Sequence, residues 1–290
     1  MPPGLTADPA AWITDWLARQ VAESPDNRLD PGGEEPAWEA PLVGFAPGDD
    51  PLWRRCKEHI GEFFWLPEEA FALAVPKEPA PAAELAVISW VLPQTEATRR
   101  ENREQKAYPS RRWAAAKARG EAFNNLLRRR LADTLKVQGV LAAAPLLLPE
   151  WGWRDSQRWV YASNWSERHA AHIAGLGTFG LCDGLITPKG KAVRAGSVVA
   201  RLAVPPTPRP YGDHHAYCLF YSHGTCGKCI ARCPVNALSE AGHHKRRCRE
   251  HVLERCARRV ERDYGFATDA CGLCQTGVPC EDHIPGPEEG

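Results

Sequence analysis

Residues 85–92 are apolar at every position except Ser89, and Val87, Ile88 and Val91 are β-branched. This pattern predicts a strand covered on both faces. The stretches 140–148 and 157–162 look like further strands, and 197–204 (SVVARLAV) predicts a buried strand by its apolar, β-branched content. Between them Trp113, Phe123, Leu127, Leu131 and Leu135 recur at helical spacing beside Arg111, Arg112, Lys117, Arg119 and the triple arginine 128–130, which predicts a long amphipathic helix with a cationic face. Such a face reads first as solvated surface and second as an anion or nucleic-acid site. Upstream, 9–21 has the pattern of a short amphipathic helix, 30–36 that of a loop rich in Pro, Gly and acid, and 52–75 that of a helix in pieces. The stretch 76–81 (PKEPAP) acts as a stiff spacer.

The pattern implies an α+β fold. With 290 residues the chain exceeds the roughly 250 that one core commonly serves, so two domains are expected. The run 205–210 (PPTPRP) has linker composition, and everything beyond it is rich in cysteine and polar residues. The expected division is an N-terminal helical and loop segment at 1–84 packing on an α+β domain at 85–205, followed by a cysteine-rich domain at 206–290.

Charge adds little, because 36 basic residues balance 36 acidic ones. The apolar runs fall short of the roughly 20 residues that cross a bilayer, so no membrane partner is expected. The N-terminus has neither a charged segment leading into an apolar one nor a twin-arginine pair, so the expected location is the cytoplasm.

Cysteine changes the picture. Ten of the eleven lie after residue 180, which points to one local site rather than a disulfide scaffold. Cys226-x2-Cys229-x3-Cys233-Pro234 is followed by Cys271-x2-Cys274-x5-Cys280. A cubane needs four thiolates around a compact core, and a Cys-x2-Cys turn aims two sulfurs inward. These spacings predict a ferredoxin-like unit with two 4Fe-4S clusters. In two-cluster ferredoxins the cysteine before proline serves the other cluster, so the assignments cross. The first cluster takes Cys226, Cys229 and Cys280, with Cys218 favoured over His223 as fourth ligand. The second takes Cys233, Cys271 and Cys274, with Cys248 favoured over Cys256. Cys56 and Cys182 read as core thiols. Zinc is the competing metal, but its Cys pairs usually stand about 15–20 residues apart and would leave the other cysteines unexplained.

Gly175-Leu176-Gly177-Thr178-Phe179-Gly180 fits G-x-G-x-x-G, yet its context is wrong for a dinucleotide loop. The preceding segment 163–174 reads as a helix with Asn164 as N-cap and Gly175 closing it, and no helix follows to receive a pyrophosphate. The glycines are expected to allow close backbone approach to something flat. His169 and His172, one turn apart, lack a third ligand nearby and read as ordinary packed or surface histidines.

From about residue 85 to its end the chain resembles the epoxyqueuosine reductase family, corrinoid enzymes related to reductive dehalogenases. The likeness rests on Glu167-Arg168 leading to Ala174-Gly175-Leu176-Gly177, on Gly196-Ser197, on the Cys226 to Pro234 motif, on Arg247-Cys248 and on Cys271-Gly-x-Cys274. It implies a nitroreductase-like cobalamin-binding domain followed by a bacterial two-cluster ferredoxin-like domain. A base-off cobalamin would lie between them with one cluster close to the cobalt. It also supports Cys248 as a ligand, and it suggests Arg168, Gly175, Gly177, Gly180 and Ser197 as cofactor contacts. The signature of cobalamin binding through a lower histidine is missing, since Asp213-His214-His215 reaches Cys218 without the required glycine.

Tyr161 stands where family members acting on transfer RNA carry an acidic proton donor. Reductive dehalogenases use a tyrosine, so Tyr161 is the candidate catalytic acid, with Arg168 pairing with it or with a corrin side chain. The expected protein is a reductase in which a low-potential donor such as a ferredoxin or flavodoxin feeds two clusters, and these feed a corrinoid that reduces a small molecule or a tRNA. Two other classes answer the same residues. One is a non-catalytic electron carrier or corrinoid reactivator. The other is a tRNA queuosine-modifying epoxyqueuosine reductase that uses the basic helix in place of the helical repeats missing from this sequence.

Overall fold

The computed structural model describes residue 5 and residues 7–290. Helix α1 (Pro9–Glu23) begins at Pro9 behind Asp8, whose carboxylate accepts the Ala11 N–H at 2.9 Å, and buries Ile13, Leu17 and Val21. Strand β1 (Leu42–Pro47) follows, then α2 (Pro51–Ile60) and α3 (Pro67–Ala74). After β2 (Ala86–Pro93) come α4 (Glu96–Arg103), the 27-residue α5 (Arg111–Val137) and the two-residue β3 (Ala142–Ala143). A hairpin of β4 (Trp153–Ser156) and β5 (Val160–Ser163) leads to α6 (Glu167–Ile173), a small ladder of β6 (Thr178–Phe179) and β7 (Leu185–Ile186), and then β8 (Val193–Ala200).

The main sheet runs β1-β2-β8-β3 with every neighbour antiparallel. The uninterrupted apolar character of β2 has a direct cause: every residue in it is buried. Ile88, Trp90 and Leu92 pack with Phe123, Leu127 and Leu131 of α5, while Val87 turns to the opposite face among Trp53, Phe71 and Trp165. Helices therefore cover both sides, and the fold mixes helix and sheet as expected.

Several local expectations need correction. β1, bracketed by Pro41 and Pro47, was not foreseen. Of 140–148 only Ala142–Ala143 is strand, because Pro145 opens a 3-10 turn. β8 starts four residues before Ser197, at Val193, and ends at Ala200. The helix expected at 163–174 begins at Glu167 behind Ser166, although Gly175 does follow its end with φ +81°.

Most arginines on the cationic face of α5 are paired with acids, while Arg111, Arg112 and Arg130 remain 40–47% exposed. Arg111 and Arg119 grip Asp30, Arg112 grips Glu35 and Glu101, and Arg130 reaches Asp26, all at 2.6–3.1 Å. The acidic loop at 26–35 is thus the counter-charge that the helix was missing in sequence. Among the described residues no helix is long and apolar enough to cross a membrane.

Candidate metal centre

Two cysteine-lined spaces lie side by side. The larger, a cavity of about 310 Å³, opens between Trp113 and Arg194 on one wall and the cysteine-rich segment on the other. Its thiols are Cys182, Cys233, Cys248, Cys271 and Cys274. The smaller recess is lined by Cys218, Cys226, Cys229 and Cys280, with Gly180 and Lys191 beside them. Cys233 of the first motif thus stands with Cys271 and Cys274 of the second, and Cys280 stands with Cys226 and Cys229. His223 is exposed, bonded to the Ser222 hydroxyl at 2.8 Å, and is not part of the recess wall.

Local structure explains this gathering. After Cys233-Pro234 the chain turns so that the Ala237 N–H donates to the Cys233 sulfur at 3.1 Å. The hairpin of β9 (Leu238–Ser239) and β10 (Gly242–His243) then returns the chain to a helical run that places Cys248 on the cavity. This run widens into a π turn at His251–Cys256, a distortion common at functional sites, which buries both of its end residues. His251 Nε2 lies 3.2 Å from the Cys256 sulfur, and the ligand atoms of His251, Cys256 and Cys271 all fall within 4.8 Å of one another. Cys256 does not line the cavity, whereas His251 does.

Two buried polar atoms on that wall, His251 Nδ1 and Gln94 Oε1, have no hydrogen-bond partner. Leaving such atoms unpaired costs about 1–3 kcal/mol each, so the cavity suits a polar occupant.

Sequence reasoning missed two members of this centre. Cys182 is buried as expected, but it packs in one cluster with Cys229 and Cys274, which line different spaces. Lys191 is 2% exposed, with Nζ 3.5 Å from the Cys182 sulfur. Cys56 instead packs beside Trp53 and Phe64, and burial pushes its thiol up to about 12.

Tyr161 is half-buried. Its hydroxyl donates to the Lys245 carbonyl at 3.2 Å, and the Arg249 guanidinium lies 4.8 Å above its ring. Burial raises the pKa of this phenol above its ordinary value. Arg168 does not pair with it and donates instead to the Asp183 carbonyl. Asp183 in turn holds His243 at 2.8 Å; against the cost of burial, this bond and the neighbouring Cys248 lift His243 to about 9.

The other residues suggested as cofactor contacts are placed differently. A Cβ at Gly175 would meet the Pro208 carbonyl and one at Gly177 the Ile186 carbonyl, so the close approach that these glycines permit is to the chain itself. Gly180 faces the smaller recess. Ser197 is fully buried, accepting from Trp165 Nε1 at 3.0 Å and donating to Glu167 at 2.5 Å. His169 and His172 are packed histidines: His169 bonds the Ser166 hydroxyl and His172 the Gly177 carbonyl, each at 2.8 Å.

No protein-family profile and no curated protein matches the sequence. Among solved structures, the chain is similar to an epoxyqueuosine reductase from Bacillus subtilis, with 19% identity, TM-score 0.44, and 85% of this chain aligned with 65% of that one. It is similar to an epoxyqueuosine reductase solved with an epoxyqueuosine-modified tRNA-Tyr stem loop, with 19% identity, TM-score 0.47, and coverages of 85% and 65%. A catabolic reductive dehalogenase aligns at 16% identity and TM-score 0.49, over 84% of this chain and 30% of that one. The chain therefore spans less than two thirds of the reductases it matches. At these TM-scores no residue role passes from one protein to the other.

Proposed function

We propose that this protein is an iron–sulfur oxidoreductase that holds two 4Fe-4S clusters and passes single electrons through them to a substrate on the Tyr161 side. The observation that carries this reading is the crossed gathering of the two cysteine motifs. Each space is walled by at least four thiols, and each draws one of them from the opposite motif. That donor set fits a cubane in both places. A single tetrahedral zinc would use one set and leave the other without a role. When bound, a cluster supplies a one-electron relay.

The proposed ligands are Cys218, Cys226, Cys229 and Cys280 for the smaller space and Cys233, Cys248, Cys271 and Cys274 for the larger. The Ala237 N–H on Cys233 stabilises a thiolate there, and the unpartnered His251 Nδ1 faces the occupant of the cavity. Tyr161, with its pKa above the usual value of about 10, keeps its proton at neutral pH and suits a proton donor rather than a base.

A corrinoid is less well provided for. Gly175 and Gly177 are covered by the chain's own backbone and Ser197 lies inside the core, so these residues do not fit a corrin face, and no step is assigned to that group. A small molecule is proposed as substrate over tRNA, because the arginines of α5 are engaged with the acidic loop. An external low-potential carrier such as a ferredoxin or flavodoxin is the proposed donor. The role of electron carrier or corrinoid reactivator is set second, because Tyr161 offers a proton beside Cys248.

Anaerobic purification from cobalamin-supplemented cells, with iron, sulfide, zinc and cobalt counted per chain, tests the reading. About eight irons with matching sulfide are expected. Zinc without sulfide would sink it. Stoichiometric cobalt would restore the corrinoid.

A further inference from the structure

We propose that Lys191 is a positioning charge shared by the two cysteine spaces, whose ammonium favours the one-electron-reduced state of both clusters and so raises both reduction potentials. The proposal rests on the two-cluster reading above.

The backbone fixes the residue first. Thr187 and Gly190 close a tight turn, with the Gly190 N–H on the Thr187 carbonyl at 2.8 Å and the Thr187 N–H on the Gly190 carbonyl at 3.0 Å. Directly after it the Lys191 N–H donates to the Cys280 carbonyl at 2.9 Å and the Ala192 N–H to that of Glu281 at 3.1 Å. Gly190 has φ +69°, and a Cβ there would collide with the backbone of Glu281 and Asp282, so glycine is what lets these segments meet.

The side chain then runs inward. Its Nζ reaches the sulfur of Cys182, on the wall of the larger cavity, at 3.5 Å, and the residue itself lines the smaller recess beside Cys280. Among the described residues it forms no salt bridge with a carboxylate, and its side-chain bond is to the Cys182 sulfur. A lysine's ordinary pKa of about 10.4 leaves its side chain an ammonium at neutral pH.

A buried cation without a carboxylate costs several kcal/mol unless negative charge answers it nearby. A cubane bound by four thiolates is anionic. Its reduction adds one electron, breaks no bond and moves no proton, so the cluster gains one unit of negative charge. A fixed cation in a low-dielectric interior stabilises the more negative state more. Because Lys191 bonds a thiol of the larger space and itself lines the smaller one, its effect should reach both clusters.

The test is a redox titration followed by EPR, with dithionite as reductant, on loaded wild type, Lys191→Met, Lys191→Gln and Lys191→Arg, with iron and sulfide counted in the same samples. A wild type that takes up no clusters overturns the cluster reading itself. In loaded neutral variants both potentials should fall by at least about 59 mV, a tenfold change in a one-electron equilibrium. Lys191→Arg should stay near wild type. Unchanged potentials in a fully loaded neutral variant, or a shift confined to one cluster, overturn the proposal. So does failure of both neutral variants to load while Lys191→Arg loads, which would make Lys191 an assembly residue.

Discussion

Arg128 and Lys191 are both almost wholly buried, at 1% and 2% exposure, yet their surroundings differ in kind. Arg128 is answered by oxygen throughout. It donates to Glu167 at 3.0 Å, Glu121 at 3.1 Å, Asn125 at 2.7 Å and the Ala195 carbonyl at 2.9 Å. Glu167 passes its other oxygen to Ser197, so α5, α6 and β8 are tied through one charge. Lys191 has its side-chain bond to sulfur, that of Cys182, and no carboxylate salt bridge among the described residues. A buried cation thus reports where its counter-charge comes from. One is neutralised by the fold, the other by groups whose own task is to hold something.

The comparison breaks most visibly at Arg128. Arg128→Leu leaves Glu167 as a buried carboxylate without its cation and should cost about 3–5 kcal/mol in urea unfolding. The double variant Arg128→Leu, Glu167→Leu should recover part of that loss, because no unpaired charge remains. Equal stability of the two would show that the pair matters only through packing.

On the thiol side, the expected effect is halved iron. Cys248→Ser should reduce iron from about eight atoms per chain to about four, whereas Cys256→Ser should leave it near eight. The reason is positional: Cys248 lines the cavity and Cys256 stands behind Cys271 and His251. The opposite result would move the fourth ligand to Cys256.

Legibility in sequence follows the same contrast. β2 could be read because burial on both faces leaves a continuous apolar run, and α5 because its stripe faces one core. The cysteine motifs were legible because their chemistry is encoded in short spacing. Cys182 and Lys191 were not, because they belong to no motif and Lys191 meets the thiols only when 191–192, after the turn at 187–190, pairs with 280–281. The role of the α5 arginines was hidden for a similar reason: their partners in the acidic loop lie 77 to 104 residues earlier in the chain. Ser197 misled because a serine at the start of a resembling strand looks available, and its hydrogen bonds in the core are invisible without the fold.

A group buried without charge gives an intermediate effect. Burial, then the nearby Arg168, His172, His59 and Lys245, lower the pKa of His169 from 6.5 to about 3. The unfolded chain takes up a proton below 6.5 while the folded one does not, so this residue's contribution is intact above that pH and is lost as pH falls towards 3. Each unit of that window is worth about 1.4 kcal/mol at full effect, and the part-exposed ring realises a fraction of it. His169→Gln should flatten the acid limb of a stability-against-pH curve. An unchanged limb would place the acid sensitivity elsewhere.

The weakest case lies where the α5 cations reach the surface. Asp30 accepts from Arg111 and Arg119, and these bonds, set against a smaller cost of burial, lower its pKa below 3.8. A depressed carboxyl stabilises the fold above its unfolded value and stops doing so as pH falls through its folded one. Asp30→Asn should therefore cost stability at neutral pH and cost nothing once the native carboxyl is protonated. With Asp30 and Arg111 both well exposed, solvent screening limits the effect to about 0.2–1 kcal/mol, and added salt should shrink it further. Arg128 should show a much smaller salt response, since it is 1% exposed and its partners Glu167 and Glu121 are 9% and 21% exposed. A salt-insensitive loss at Asp30 would mean that the acidic loop is held by its backbone bonds, such as Leu29 N–H to the Glu35 carbonyl at 3.0 Å, rather than by the charges of α5.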